Sequence, residues 1–280
     1  MILTNYHTHT RFCDGNSAPE AYVTEAIKKN FKCLGFSAHA PLPFENAWSL
    51  ADGDMYAYCR SIQDLKETYR DQLEIYLSLE IDYIPGVSPA FDDLKRRHHL
   101  DYVLGAVHLV KNPQGSELWF IDGPPANYDK GLNNIFHGDI HLAVGTYYAQ
   151  LQEMLQTQKP DMVAHFDKVK MNNRQRYFQE SETWYRDHIT KTLEVIAQSK
   201  TIVEVNTRGI YTGKCESLYP GTSVLKQCFE LNIPVTVSAD AHKPSDINSF
   251  FAETEKKLKD IGYKSIKIFI GGVWEDWEIS

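Results

Sequence analysis

The chain has 280 residues, 42% of them hydrophobic, with 37 Asp and Glu against 29 Lys and Arg and a formal net charge of −8. That length suits one large domain with a substantial core, and the acidic balance argues against a general nucleic-acid-binding surface. No run approaches the roughly 20 apolar residues of a membrane span, and the start Met-Ile-Leu-Thr-Asn-Tyr lacks a basic region and cleavage pattern. A soluble, cytoplasmic protein is expected, with no membrane partner.

Cys13, Cys33, Cys59, Cys215 and Cys228 are scattered and form no Cys-x-x-Cys pair, so neither a disulfide framework nor a thiolate zinc site is indicated. Cys13, beside Asp14, is the one expected to be oxidation-sensitive. No linker, low-complexity tract or repeat divides the chain, and residues 1–280 read as a single domain.

In chain order, residues 2–7 read as a first strand. Ser17-Ala18-Pro19-Glu20 combines a capping box with an early proline, and the helix after it carries Tyr22, Val23, Ala26 and Ile27 on one face. A second strand at 33–38, a helix over 54–70 and a third strand at 73–79 follow. A short helix at 89–97 leads to a fourth strand at 102–107. Residues 111–141, rich in Asn, Gly, Pro and Asp, read as a loop insertion before a helix at 143–156. The fifth strand is 162–164, then a long helix over 181–199, a sixth strand at 202–205 and a helix at 223–231. A seventh strand at 233–238 and a helix at 245–261 complete the alternation, and an apolar run at 265–270 closes or edges the structure. Strand–helix alternation over this many units points to an α/β barrel of parallel strands, with a doubly wound open sheet as runner-up.

The chemistry-bearing residues fall at the strand ends. His7 and His9 leave the first strand, His39 the second, Glu80 the third, His108 the fourth and His165 the fifth, while Asp240 and His242 leave the seventh. A parallel barrel opens all its strand C-termini onto one face, so these points converge there, with Asp14 from the first loop. Residues i and i+2 of an extended segment point the same way, which lets His7/His9 and Asp240/His242 each bind from one side. A single His after an apolar strand is ordinarily a hydrogen-bonded core or loop residue; six at successive strand ends, with three acids, point to shared metal binding. Asp14, in Cys-Asp-Gly-Asn, suits a turn equally well.

His98 and His99 close a charged helix end. His137 and His141 fall in the insertion as solvent-exposed or lid residues, and His188 lies within a long helix. Imidazole and carboxylate without thiolate suit Zn, Mn or Fe at a hydrolytic centre. Nine ligands are too many for one ion, so two or three divalent ions are expected, with Glu80 as a bridge. Clustered ions lower the pKa of a bound water and clamp phosphoryl oxygens, which makes a small phosphate ester the natural substrate.

The ordered set His-Thr-His, Ser-Ala-His-Ala-Pro, Leu-Ser-Leu-Glu-Ile-Asp-Tyr, Gly-Ala-Val-His, Ala-His-Phe-Asp, Val-Glu-Val-Asn-Thr and Ser-Ala-Asp-Ala-His resembles the PHP (polymerase and histidinol phosphatase) family, within it the monofunctional histidinol-phosphate phosphatases. The resemblance covers nearly the whole chain. It implies a distorted (β/α)7 TIM-like barrel with a trinuclear site: His7, His9, Glu80 and Asp240 on one metal, Glu80, His108 and His165 on a second, Asp14, His39 and His242 on the third. It also implies hydrolysis of L-histidinol phosphate in histidine biosynthesis, and Glu80, Asp240 and Arg208 are the expected catalytic residues.

Arg208, just past the sixth strand, reads either as a bidentate phosphate grip or as an exposed loop residue. Lys111 and Lys168, each three residues after a candidate histidine, are weaker phosphate candidates. Asp82, Phe12, Phe44 and Tyr211 are open candidates for the rest of the substrate. The competing readings are a PHP-type esterase for a nucleotide or sugar phosphate, and a C–N hydrolase of amidohydrolase type using a metal-bridging lysine such as Lys168. The oligomeric state is not read from the sequence.

Overall fold

In the computed structural model, which describes residues 2–279, seven strands pair in parallel in the order β1 (Thr4–Asn5), β2 (Cys33–His39), β3 (Glu74–Asp82), β4 (Tyr102–Ala106), β7 (Met162–Val163), β8 (Ile202–Asn206) and β9 (Val235–Ser238). The hairpin of β5 (Leu109–Lys111) and β6 (Leu118–Phe120) stands outside the sheet after β4. The last strands, β10 (Ser265–Ile270) and β11 (Val273–Glu278), form an antiparallel pair.

The sheet closes. A parallel bridge joins Thr8 to Ala241, with His9 N donating to Ala241 O at 2.8 Å and Ala241 N to His7 O at 3.1 Å. The buried Asn5 side chain stitches the seam, accepting from Ala239 N at 2.9 Å and donating to Thr8 Oγ1 at 3.0 Å. A seven-stranded parallel barrel results, and the open sheet is excluded.

Helices α1 (Pro19–Lys28), α2 (Met55–Thr68), α3 (Phe91–His98), α4 (Pro125–Phe136), α5 (Ile140–Thr157), α6 (Thr183–Ser199), the short α7 (Arg208–Tyr211), α8 (Thr222–Glu230) and α9 (Phe251–Ile261) connect the strands. Below the barrel, Tyr6, Tyr102, Phe269 and Trp274 pack edge to face or tilted. Tyr102 donates to Tyr6 O at 2.6 Å and Tyr6 to Phe269 O at 2.9 Å, so the β10–β11 pair seats on β1 through satisfied hydroxyls.

Several expectations need correction. Residues 111–141 are not loop throughout. Tyr128, Leu132 and Phe136 recur every fourth residue as the buried face of α4, and Trp119 packs on Tyr128 and Phe136. Helix α5 starts at Ile140 because Asp139 accepts from Leu142 N at 2.9 Å. The capping box at Ser17 does not form: Ser17 donates to Asn16 Oδ1, and α1 starts on Pro19 with no side-chain cap. Strand β3 runs past Glu80 to Asp82, since β4 pairs with it as far as Ala106 opposite Asp82, whereas β2 ends at His39 opposite Glu80. Helix α9 starts only at Phe251, after Phe250 takes a left-handed conformation with φ 66°.

Candidate metal centre

Barrel register brings the ligand candidates together. His39 is the lateral partner of Glu80 across β2 and β3, so both side chains share the inner face. Glu80, buried to 1% exposure, is the hub. Its Oε2 lies 3.2 Å from His7 Nε2, 3.4 Å from His9 Nε2 and 3.1 Å from His39 Nδ1. Its Oε1 lies 2.8 Å from His165 Nε2 and 3.7 Å from His108 Nε2.

Asp240 Oδ1 stands 3.3 Å from His9 Nε2 and 3.8 Å from His7 Nε2. Asp14 Oδ2 reaches His242 Nε2 at 3.1 Å, while its Oδ1 is 3.6 Å from His9 Nδ1 and 3.8 Å from His39 Nε2. Asp14 therefore joins the cluster rather than serving the turn alone. His165 and Asp240 both hold positive φ, 28° and 51°, a strained backbone of the kind concentrated at functional sites.

A second ring of contacts orients these groups. His7 Nδ1 is 2.6 Å from Glu204 Oε1, whose other oxygen accepts from His165 N at 2.8 Å. Asp82 accepts from His108 N at 2.8 Å and holds His108 Nδ1 at 3.0 Å. Carboxylates on the far ring nitrogen fix tautomer and direction in metal-ligating histidines. His7 Nε2, His9 Nε2, His39 Nδ1 and Glu80 Oε2 are buried with no hydrogen-bond partner among the described residues. Buried polar atoms ordinarily find a partner; convergent orphaned donor atoms of this chemistry fit divalent metal ions.

Four groups each hold their ligand atoms within 4.8 Å of one another: His9, Asp14, His39 and His242; His7, His9 and Asp240; His7, Glu80 and His165; His39, Glu80 and His108. All nine candidates are included.

Burial opposes ionisation of Glu80, yet the imidazoles of His7, His39, His108 and His165 hold it well below the ordinary carboxylate range. Asp240 is held down likewise, by His7 and Arg208 against its burial. Burial, with His242 and His39 nearby, pushes His9 down to about 3, so it presents a neutral imidazole. His108 goes the other way: its burial is outweighed by Asp82 and Glu80, and it is raised to about 9.

Above the cluster lies a cavity of about 130 Å³ whose wall carries Lys168, Arg208, Lys214, Asp122, Trp48 and Phe120. Arg208 Nη1 donates to Asp240 O at 2.8 Å and lies 2.6 Å from His242 Nδ1, so the guanidinium is at the site and not an exposed loop group. Lys168 is also there, its Nζ 3.1 Å from Asp122 Oδ2.

Lys111 is not. Its Nζ donates to Pro85 O at 2.9 Å, because the β5–β6 hairpin turns it away from the barrel mouth. Of the four open substrate candidates, Asp82 is committed to His108 and Tyr211 to the Ala239 and Asp240 carbonyls. Phe12 packs on Tyr58, and Phe44 is absent from the cavity wall. Cys13, 3.5 Å from His9 Nδ1, has its thiol pushed up to about 12 by burial and Asp14, which disfavours the thiolate form that oxidation uses. His141 packs tilted against Trp184 and His188 stacks on Tyr148, away from the cavity.

Sequence reasoning missed Glu204, Asp122, Trp48, Phe120 and Lys214. Glu204 carried a signal: a charge inside an apolar strand buried on both faces needs a partner. Trp119-Phe120-Ile121-Asp122 alternates buried and half-buried positions, a strand period obscured by the Gly and Pro around it.

A model of the PHP domain matches residues 5–208. The histidinol-phosphatase of Bacillus subtilis is 27% identical over 256 residues, covering 86% of this chain and 94% of that protein. A Deinococcus radiodurans protein named probable histidinol-phosphatase is 24% identical over 270 residues, covering 94% and 95%. Among solved structures, the histidinol phosphate phosphatase of Lactococcus lactis, complexed with zinc, L-histidinol and phosphate, superposes with a TM-score of 0.68 at 20% identity, covering 97% of this chain and 98% of that one.

Proposed function

The chain belongs to the PHP domain family, and from that membership we propose that it is a metal-dependent phosphatase hydrolysing L-histidinol phosphate to L-histidinol and phosphate. The observation that carries the reading is Glu80, whose two oxygens are shared among five imidazoles beneath a cavity lined by Lys168, Arg208 and Lys214. Relatives named histidinol-phosphatase match nearly end to end, which supports the substrate.

The ligand partition we assign is His7, His9, Glu80 and Asp240 for one ion, Glu80, His108 and His165 for a second, and Asp14, His39 and His242 for a third. Zinc, as in the Lactococcus lactis structure, or Mn or Fe suits this set. Such ions supply an activated water and neutralise phosphoryl oxygens.

The chain's own residues do the rest. Glu80 and Asp240 stay anionic, and Glu204 and Asp82 keep His7 and His108 aimed at the centre. Arg208 and Lys168 bring positive charge to the phosphate, and the closed floor of the barrel keeps bulk water to one side. Burial disfavours the Lys168 ammonium, but Asp122 and Asp240 outweigh it and raise its pKa. Lys168 is thus a cation paired with Asp122, not the neutral amine a bridging lysine requires, which disfavours the C–N hydrolase reading. The proposed setting is cytoplasmic histidine biosynthesis. Among the described residues, no helix is long and apolar enough to cross a membrane.

The test is a metal-reconstituted assay over histidinol phosphate, nucleoside monophosphates, sugar phosphates and an amide. Histidinol phosphate should be turned over with the highest kcat/KM; a nucleotide or sugar phosphate turned over as well would overturn the substrate. Glu80→Gln should lower kcat/KM by at least about two orders of magnitude, since a shared ligand does more than the outer-shell groups whose loss costs about 10–100-fold.

A further inference from the structure

We propose that Asp122 sets the specificity of the cavity by receiving a cationic group, of the primary-ammonium type, on the alcohol side of the phosphate ester. The inference rests on the phosphatase reading and adds the residue that selects within phosphate monoesters.

The cavity has an unusual charge pattern for a phosphate site. Lys168, Arg208 and Lys214 line it and suit a phosphoryl dianion, yet Asp122 shares the wall. Its Oδ2 lies 3.1 Å from Lys168 Nζ, an ion pair that keeps the group a carboxylate, and 3.8 Å from His108 Nε2. A fixed anion would repel a substrate whose only charge is phosphate. One that also bears a cation turns the repulsion into a contact.

Asp122 has capacity to spare. Oδ2 is engaged by Lys168, while Oδ1 is buried with no hydrogen-bond partner among the described residues. A carboxylate oxygen so placed accepts a charged N–H readily.

The segment is also built to stay put. Ile121 N donates to His108 O at 3.0 Å, and Asn172 Nδ2 donates at 2.8 Å to both Ile121 O and Gly123 O. Asp122 is thereby clamped from both neighbours. Two residues earlier, Phe120 stacks on Trp48 with centroids 4.7 Å apart and planes 11° off parallel. Both rings line the cavity, giving a flat apolar wall next to the carboxylate. The complementary ligand is a phosphate ester with an ammonium and a flat ring on its alcohol part.

The experiment compares kcat/KM for L-histidinol phosphate with that for its des-amino counterpart, imidazolylpropyl phosphate, using zinc- or manganese-loaded protein. Wild type should prefer the ammonium ester by roughly ten- to a hundredfold, as for a charged hydrogen bond, mainly through KM. In Asp122→Asn that ratio should collapse to within about threefold, and Asp122→Glu should restore part of it. The ratio cancels any general loss transmitted through Lys168. A ratio unchanged in Asp122→Asn would overturn the proposal and leave Asp122 as a positioning residue for Lys168.

Inhibition of wild type by L-histidinol against imidazolylpropanol gives a second reading that needs no variant. The amine should tighten inhibition about tenfold; equal inhibition overturns the proposal. Should neither imidazole ester exceed a plain alkyl phosphate, the histidinol-phosphate reading fails. Aminopropyl phosphate against propyl phosphate then decides the ammonium site separately.

Discussion

His7 illustrates how a single imidazole is prepared for its work. Glu204 holds its Nδ1, which leaves Nε2 facing Glu80 and Asp240. Glu204→Gln keeps the shape and removes the charge, so metal affinity should fall about 10–100-fold while the fold persists. Competitive metal titration with a chromogenic chelator reads this directly, and an unchanged affinity would remove Glu204 from the outer ring.

His108 provides a pH signature. Its folded pKa of about 9 exceeds the unfolded value of about 6.5. In the metal-free protein its pairing with Asp82 therefore contributes stability fully below pH of about 6.5, and that contribution is lost as pH rises through about 9. Metal binding needs the neutral imidazole, so at pH 7 it should release at least one proton. Metal affinity should climb between pH 7 and 9 by up to about tenfold per unit. Calorimetry in buffers of different protonation enthalpy measures the released proton, and pH-independent affinity over that range would count against the assignment.

At the scale of elements, the two hairpins divide the labour. The β5–β6 hairpin and the segment after it carry Phe120 and Asp122 to the mouth, anchored on His108 O by Ile121. The β10–β11 pair works at the opposite end, where Phe269 packs against Tyr76, Tyr102 and Trp274. Phe269→Ala should cost about 3–5 kcal/mol in urea unfolding, the range for a buried aromatic truncated to alanine. The ligand cluster lies at the other barrel end, so turnover of the folded variant should match wild type. A cost below 1 kcal/mol would mean that the hairpin is not part of the cooperative core.

For the molecule as a whole, the metal centre and the barrel seam are the same place. Thr8, between His7 and His9, bridges Ala241, between Asp240 and His242. Each flank of the closing bridge is thus a pair of proposed ligands, and ions bound there would tie the first strand to the last. With metal about a thousandfold above its Kd, one linked site contributes about 4 kcal/mol. At roughly 2–4 °C per kcal/mol for a chain of this size, metal loading should raise Tm by about 8–16 °C. Calorimetry with and without a chelator checks this, and a shift under about 2 °C would uncouple the centre from the seam.

What the sequence by itself determined was the alternation and the convergence of the candidate ligands. Apolar strands recur with a candidate histidine or acid at the end of every one but the sixth, and parallel connectivity sends all those ends to one face, so the cluster was legible before any coordinate. Most strand and helix boundaries followed to within a few residues, the start of α9 excepted, because amphipathic period is a local property. The α4 helix was hidden by its Pro, Gly and Asn content, although Tyr128, Leu132 and Phe136 held the period.

Only the tertiary structure decided which groups meet. Barrel closure through Asn5, Thr8 and Ala241 depends on strands more than 200 residues apart. The pairing of Glu204 with His7 spans 197 positions, and no local pattern encodes it. Lys111 and Lys168 hold the same place in sequence, three residues past a histidine, and end in opposite situations. The hairpin turn carries one onto the Pro85 carbonyl, and the turn after β7 buries the other against Asp122. Asp122 and its stacked aromatic neighbours were invisible for the same reason: their meaning lies in the cavity they share with residues from the other strand ends.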